Sequence, residues 1–176
     1  KYLNKGVVAL DLAGDEKHFK TKDYEELFKI AKEKNIPFTI HAGEADDASS
    51  VLDAISFGAK RIGHGIRIID DNYATSEVIK NNITLEVCPT SNFQTKVIDS
   101  YKNHPIKRLY EKGVLITVST DNNTVSNTTL SLEYERLKSY FSFTDKDLLT
   151  FNINAINAAF ISDLEKEKYI KILKGD

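Results

Sequence analysis

The sequence predicts a parallel α/β fold, and three observations carry that prediction. Short apolar runs alternate with longer amphipathic segments along the chain, the runs are apolar on both faces, and each one ends in polar or reactive side chains. A strand that is apolar on both faces is covered on both sides, as crossover helices cover a parallel sheet.

Residues 7–12, 37–41, 60–64, 84–88 and 114–119 are the five expected strands. Between the first two, Tyr24, Leu27, Phe28, Ile30 and Ala31 form a helical stripe, with Asp23 placed to cap it. Val51, Leu52, Ala54 and Ile55 mark a second helix that stops at Gly58, and Ile106, Leu109 and Tyr110 mark another that stops at Gly113. Beyond the fifth strand only helical patterns follow, and Ser162-Asp-Leu-Glu165 reads as a capping box that opens the last of them. No linker, repeat or low-complexity tract divides the chain, so residues 1–176 are read as one domain or part of one.

Two architectures share this alternation. A doubly wound open sheet concentrates its site at one switch point, so one or two strand ends would be polar. A TIM barrel gathers every C-terminal strand end at one mouth. Here all five ends are decorated, by Asp11-Leu-Ala-Gly14-Asp15-Glu16, His41-Ala-Gly-Glu44, His64-Gly65, Cys88-Pro-Thr-Ser-Asn92 and Ser119-Thr-Asp121-Asn122. The barrel is the expectation. Eight strands and roughly 250 residues are usual for that fold, so the chain is read as strands four to eight with their helices, three strands being expected before Lys1.

Composition narrows function. The 176 residues carry 24 Lys and Arg against 26 Asp and Glu, a balance with no field to attract nucleic acid or a membrane surface. No apolar run approaches the roughly 20 residues of a spanning helix. A single cysteine, Cys88, can form no internal disulfide, which fits a reducing, cytoplasmic setting. Cys88 itself reads as a small buried apolar residue, and Tyr24, Phe28 and Phe57 read as packing. His18 and His104 lie in polar loops and are assigned to solvent.

The reactive groups form a constellation only jointly. His41 and Glu44, separated by two small residues, suit metal binding and proton transfer, but a core histidine beside a surface glutamate fits equally. His64 between two glycines is open to a ligand or is an ordinary loop histidine. Asp121 ends an apolar strand and could as well cap the helix that follows. Two histidines, a glutamate and an aspartate converging on one rim are a stronger signal than any one of them.

At this point the residues resemble a known family. Asp11-Leu-Ala-Gly-Asp-Glu16, His41-Ala-Gly-Glu44, Arg61-Ile-Gly-His-Gly65, Leu85-Glu-Val-Cys-Pro89 and Ser119-Thr-Asp121 occur in the order found in adenosine deaminases, and the tail from Asn152 to Glu165 is similar as well. The chain resembles the C-terminal part of such an enzyme over nearly its whole length. The resemblance implies zinc, with His41 and Asp121 as ligands. It implies that Glu44 protonates purine N1 and that His64 orients or deprotonates the attacking water. Gly14 would let the backbone approach purine N3, and Asn122 would donate to N7 where the family has aspartate. Zinc lowers the pKa of its water to about 7, so hydroxide is available at neutral pH.

The family's His-x-His pair is missing, because the four histidines are His18, His41, His64 and His104. One zinc per site would therefore have an incomplete ligand set in this segment. The expected activity is hydrolysis of adenosine or deoxyadenosine to inosine and ammonia in purine salvage, carried by the full-length parent, with the isolated segment inactive. Adenine or another aminopurine is the alternative substrate. A non-catalytic half-barrel that self-associates through its open sheet edges is the alternative of another class. The expected partner is a small-molecule purine nucleoside, with no nucleic acid and no membrane.

Overall fold

The computed structural model describes residues 2–3 and 5–175, so the outer bounds Lys1 and Asp176 of the expected domain lie outside the described residues. Five strands, β1 (Leu10–Leu12), β2 (Phe38–Ala42), β3 (Arg61–His64), β4 (Thr84–Val87) and β5 (Leu115–Val118), form one sheet. They lie in chain order, each parallel to the next. The helices are α1 (Glu25–Glu33), α2 (Ala48–Phe57), α3 (Asn72–Lys80), α4 (Pro89–Gln94), α5 (Ile106–Glu111), α6 (Asn123–Ser126), α7 (Leu130–Phe141), α8 (Asp145–Ala158) and α9 (Asp163–Lys174). A doubly wound sheet reverses its strand order at a switch point. This one never reverses, which is the progression of a barrel wall.

Register separates the two faces of the sheet. Ile40, Ile62, Leu85 and Ile116 are partners across four strands, and none of them reaches solvent. Burying each such side chain stabilises the fold by about 1.5–3 kcal/mol. The helices complete this layer, for example through Phe28 of α1, whose ring lies 4.7 Å from Phe38 and 5.9 Å from Phe57. Thr39, Arg61, Glu86 and Thr117, at alternate positions, are polar. Glu86 accepts from Arg61 Nε at 2.6 Å and from the Thr39 hydroxyl at 3.2 Å.

Several local expectations meet corrections. The first strand begins at Leu10 rather than at residue 7. Gly6 turns at φ +100°, and Val7 and Val8 stay 43% and 52% exposed, Val7 making only an isolated bridge to Leu3. Asp23 does not cap α1, because a 3-10 turn over Thr21–Tyr24 leads into it and no side chain accepts at its start. On α1 the buried stripe is Phe28 and Ala31, while Leu27 and Ile30 fall on its exposed flank. The stops at Gly58 and Gly113 are left-handed, and the Ser162–Glu165 capping box is present. A second capping box, Thr144 with Asp147, opens α8. Cys88 is buried, which pushes its thiol well up. Among the described residues no helix is long and apolar enough to cross a membrane.

The largest correction concerns His104. It is 3% exposed, between the 3-10 turn Tyr101–Asn103 and α5. Its Nδ1 accepts from the Ile106 N–H at 3.1 Å and its Nε2 lies 3.2 Å from Asn92 Oδ1. Burial, helped by the nearby His64, pushes its pKa from 6.5 down to about 3. Because the folded value lies below the unfolded one, the unfolded state takes the proton first. The contribution is complete above pH 6.5 and is lost as the pH falls towards 3. Urea unfolding at pH 7 and pH 5 should therefore show a loss of about 2 kcal/mol through this residue. The loss should be absent from His104→Gln; an equal loss in that variant would assign it to other groups.

Candidate active site

The site grows from the C-terminal ends of the strands. His41 of β2 stands opposite Gly63 of β3 in the register. A Cβ at residue 63 would come within 2.7 Å of His41 Cδ2, so glycine there lets the imidazole lie across the neighbouring strand. One residue further on, Ala42 pairs with His64, whose φ of +60° ends the regular strand. The two imidazoles meet edge to face with centroids 5.1 Å apart. His64 is 1% exposed, so it is buried at the end of β3 rather than carried on a surface loop. Burial holds its imidazole below the ordinary value, against the upward pull of Glu44, and the His41 charge acts in the same direction as burial.

Glu44 follows a sharp turn. Gly43 has φ +70°, and a Cβ there would strike Val51 Cγ2 at 2.6 Å. Glu44 Oε2 lies 3.4 Å from His64 Nε2, and its Oε1 accepts from Asn92 Nδ2 at 3.0 Å and from Thr95 Oγ1 at 3.3 Å. Asn92 sits on α4, fully buried, and its Nδ2 also lies 3.0 Å from His64 Nδ1. Its neighbour Ser91 donates to Asp121 Oδ2 at 2.7 Å. Asp121 itself is exposed, with φ +57°. Capping of α6 falls to Asn122, whose Oδ1 accepts from the Val125 N–H at 3.0 Å, which leaves its amide N–H groups for another partner.

The structure thus links His41, His64 and Glu44 directly and ties Asp121 in through α4. Gly14 stands on the other wall. With His41, Leu12, Asp15 and Tyr24 it lines a cavity of about 250 Å³, and a Cβ at residue 14 would touch nothing within 4 Å. Tyr24, read from sequence as packing alone, faces this cavity too. His18 is exposed and pairs with Asp15 at 2.7 Å.

Imidazole and carboxylate are donors that zinc takes, so His41 and Asp121 fit a metal in kind. They do not fit in number, since catalytic zinc usually has three protein ligands. Among the described residues no three histidine, cysteine or acidic side chains form such a group. The nearest carboxylate to His41 Nε2 that pairs with it is Asp11, at 3.9 Å.

Sequence reasoning missed the groups that hold the site in shape. Buried Glu16 accepts from the backbone N–H groups of Gly43 at 2.5 Å, Glu44 at 3.0 Å and Ala45 at 2.8 Å, and from the Ser50 hydroxyl at 2.9 Å. Its place in the Asp11–Glu16 block was the available signal. Glu133 of α7, with no exposed surface, accepts from the Thr90 N–H and from the Thr90 and Thr128 hydroxyls, and so fixes the start of α4. A lone glutamate on an amphipathic helix gave no sign of this. Substituting Glu16→Ala should cost on the order of 3 kcal/mol in urea unfolding, because buried N–H groups lose a charged acceptor. A change within about 0.5 kcal/mol, the usual surface value, would mean that the 43–45 turn stands without it.

Known proteins share this chain's sequence and fold. The family model described as adenosine deaminase matches residues 1–174. An adenosine deaminase of Clostridium botulinum (strain Langeland) is 46% identical over 180 aligned residues, covering 99% of this chain and 53% of that protein. Among solved structures, an adenine deaminase from Arthrobacter aurescens superposes with a TM-score of 0.92 at 25% identity, over 96% of this chain and 52% of its own. The N6-methyl-AMP deaminase of Arabidopsis thaliana gives 0.86 at 26%, over 97% and 50%. The chain spans about half the length of the relatives it matches, and its sheet is part of a (β/α)8 barrel. Its five ordered motifs, the rim they build and the match along nearly every residue make this chain a member of the adenosine deaminase family.

Proposed function

We propose that the full-length protein carrying this chain hydrolyses adenosine or deoxyadenosine to the inosine-type product and ammonia, as a step of purine salvage. One observation carries the reading: a buried imidazole and a carboxylate, His64 and Glu44, stand 3.4 Å apart at a rim shared with His41. Proton transfer at adjacent sites is what addition of water to a purine requires.

The residues divide the work by position. Water adds at C6, forming a C–O bond, and the exocyclic C–N bond then breaks to release ammonia. The purine ring resists attack unless N1 gains a proton, and Glu44 delivers it. His64 orients or deprotonates the water that attacks. Gly14 admits the ring edge at N3, where a side chain would crowd it, and the Asn122 amide donates to N7. His41 and Asp121 would hold zinc together with donors from outside the described residues. When bound, that ion supplies the Lewis acidity that makes water nucleophilic near neutral pH. The single buried cysteine fits a cytoplasmic setting.

Adenine or another aminopurine is the second reading, favoured by the named activities of the two structural neighbours. Ammonia release from adenosine, deoxyadenosine, adenine and N6-methyl-AMP by full-length protein separates these, and turnover of none would remove both. Glu44→Gln should lower kcat by about 10²–10⁴-fold, the range for loss of a general acid. The 176-residue segment alone, given stoichiometric zinc, should release no ammonia; turnover like that of the full-length protein would overturn the assigned ligand set.

A further inference from the structure

We propose that His104 and Asn92 form a positioning relay that sets the tautomer of His64, so that His64 meets the attacking water as a hydrogen-bond donor at Nε2. The proposal rests on the deaminase reading for its catalytic consequence, but the relay itself follows from the donors and acceptors around Asn92.

The chain of constraint starts at a backbone group. The Ile106 N–H can only donate, and it points at His104 Nδ1 at 3.1 Å. Nδ1 is therefore bare, and the proton of the neutral ring sits on Nε2. The ring stays neutral over the working pH range, since burial brings its pKa to about 3. Nε2–H then donates to Asn92 Oδ1 at 3.2 Å.

This bond fixes the Asn92 amide. Flipped, it would set its NH2 against the Nε2–H of His104, donor against donor, in a place without solvent: Asn92 is 0% and His104 3% exposed. Held as it is, Asn92 spends its two N–H groups on Glu44 Oε1 and His64 Nδ1, each at 3.0 Å. His64 Nδ1 must then accept, and the proton of neutral His64 is assigned to Nε2, which faces the Glu44 side of the rim. Both reacting side chains are thus oriented by one amide, and that amide by one buried histidine that touches neither. His104 and Asn92 are positioning residues, acting in the way hydrogen-bond partners behind a ligand fix its ring and tautomer.

The test combines a spectrum with kinetics on the full-length protein. Long-range 1H–15N correlation of histidine side chains, with His64 assigned by loss of its signals in His64→Gln, should show His64 with bare Nδ1 and protonated Nε2. His104→Phe removes the anchoring donor. It should shift His64 towards the Nδ1–H tautomer and lower kcat by about 10- to 100-fold, with KM for adenosine changed far less. His104→Gln, whose amide can donate to Asn92 Oδ1, should restore the tautomer and recover most of the loss. If His104→Phe does not fold, Asn92→Asp asks the same question, because a carboxylate accepts but does not donate and should draw the His64 proton to Nδ1. A wild-type His64 protonated at Nδ1, or a folded His104→Phe with tautomer and kcat both intact, overturns the relay. Should the protein turn over no aminopurine, the deaminase reading fails while the spectra still decide the relay.

Discussion

Strands that run the same way end on the same side, and the reactive part of this molecule depends on that fact. Parallel pairing in unbroken order brings the ends of β1 to β5 to one rim. Register then decides which side chains meet. With His41 opposite Gly63 and Ala42 opposite His64, the two imidazoles approach to 5.1 Å. A shift of one residue would turn His41 to the apolar face and place Ile40 or Ala42 on the polar one. The register is held by the other face, where Ile40, Ile62, Leu85 and Ile116 pack without solvent. The hydrophobic layer therefore positions the chemistry, although none of its side chains takes part in it.

A second level of control is polar and buried. Glu16, Glu133, Asn92 and His104 are each at most 8% exposed. No buried side-chain polar atom among the described residues is left without a partner. Such groups are costly when partly satisfied and rigid when fully satisfied. Each of the four holds a segment that carries a reactive group. Glu16 holds the turn before Glu44, Glu133 the start of α4, Asn92 the side chains of His64 and Glu44, and His104 holds Asn92. The site is stiff where the chain is irregular.

These two levels explain what could be read from sequence. Strand alternation, the glycine stops at Gly58 and Gly113 and the Ser162 capping box are local patterns, written in residues a few places apart, and they were legible. The convergence of His41, Glu44 and His64 was legible from position at strand ends. The supporting groups were not, because their partners are remote: Asn92 reaches back 48 residues to Glu44 and 28 to His64, and Glu16 reaches forward 27 to Gly43. His104 was misread for the same reason. Beside a proline in a polar stretch it has the sequence context of a surface loop, and only the packing of α4 against the turn before α5 buries it. Asp121 could be read as a cap because it stands between an apolar strand and a helix; the N-cap of α6 is the next residue, Asn122.

Backbone conformation also directs the reactive side chains. A non-glycine residue with positive φ costs roughly 1–2 kcal/mol, less for asparagine, whose side chain bonds locally. Of the seven such residues among the described ones, three are asparagines, Asn35, Asn82 and Asn127, while Lys96 and Ser142 follow the ends of helices. His64 and Asp121 follow strands instead, and both stand at the rim. Their conformations persist because the surroundings hold them: His64 is gripped by Asn92, and Asp121 is held by Ser91. Retained at these two positions, the conformation serves direction. It turns an imidazole and a carboxylate off the line of their strands at the rim, which a regular strand ending, with its alternate side chains on opposite faces, would not do.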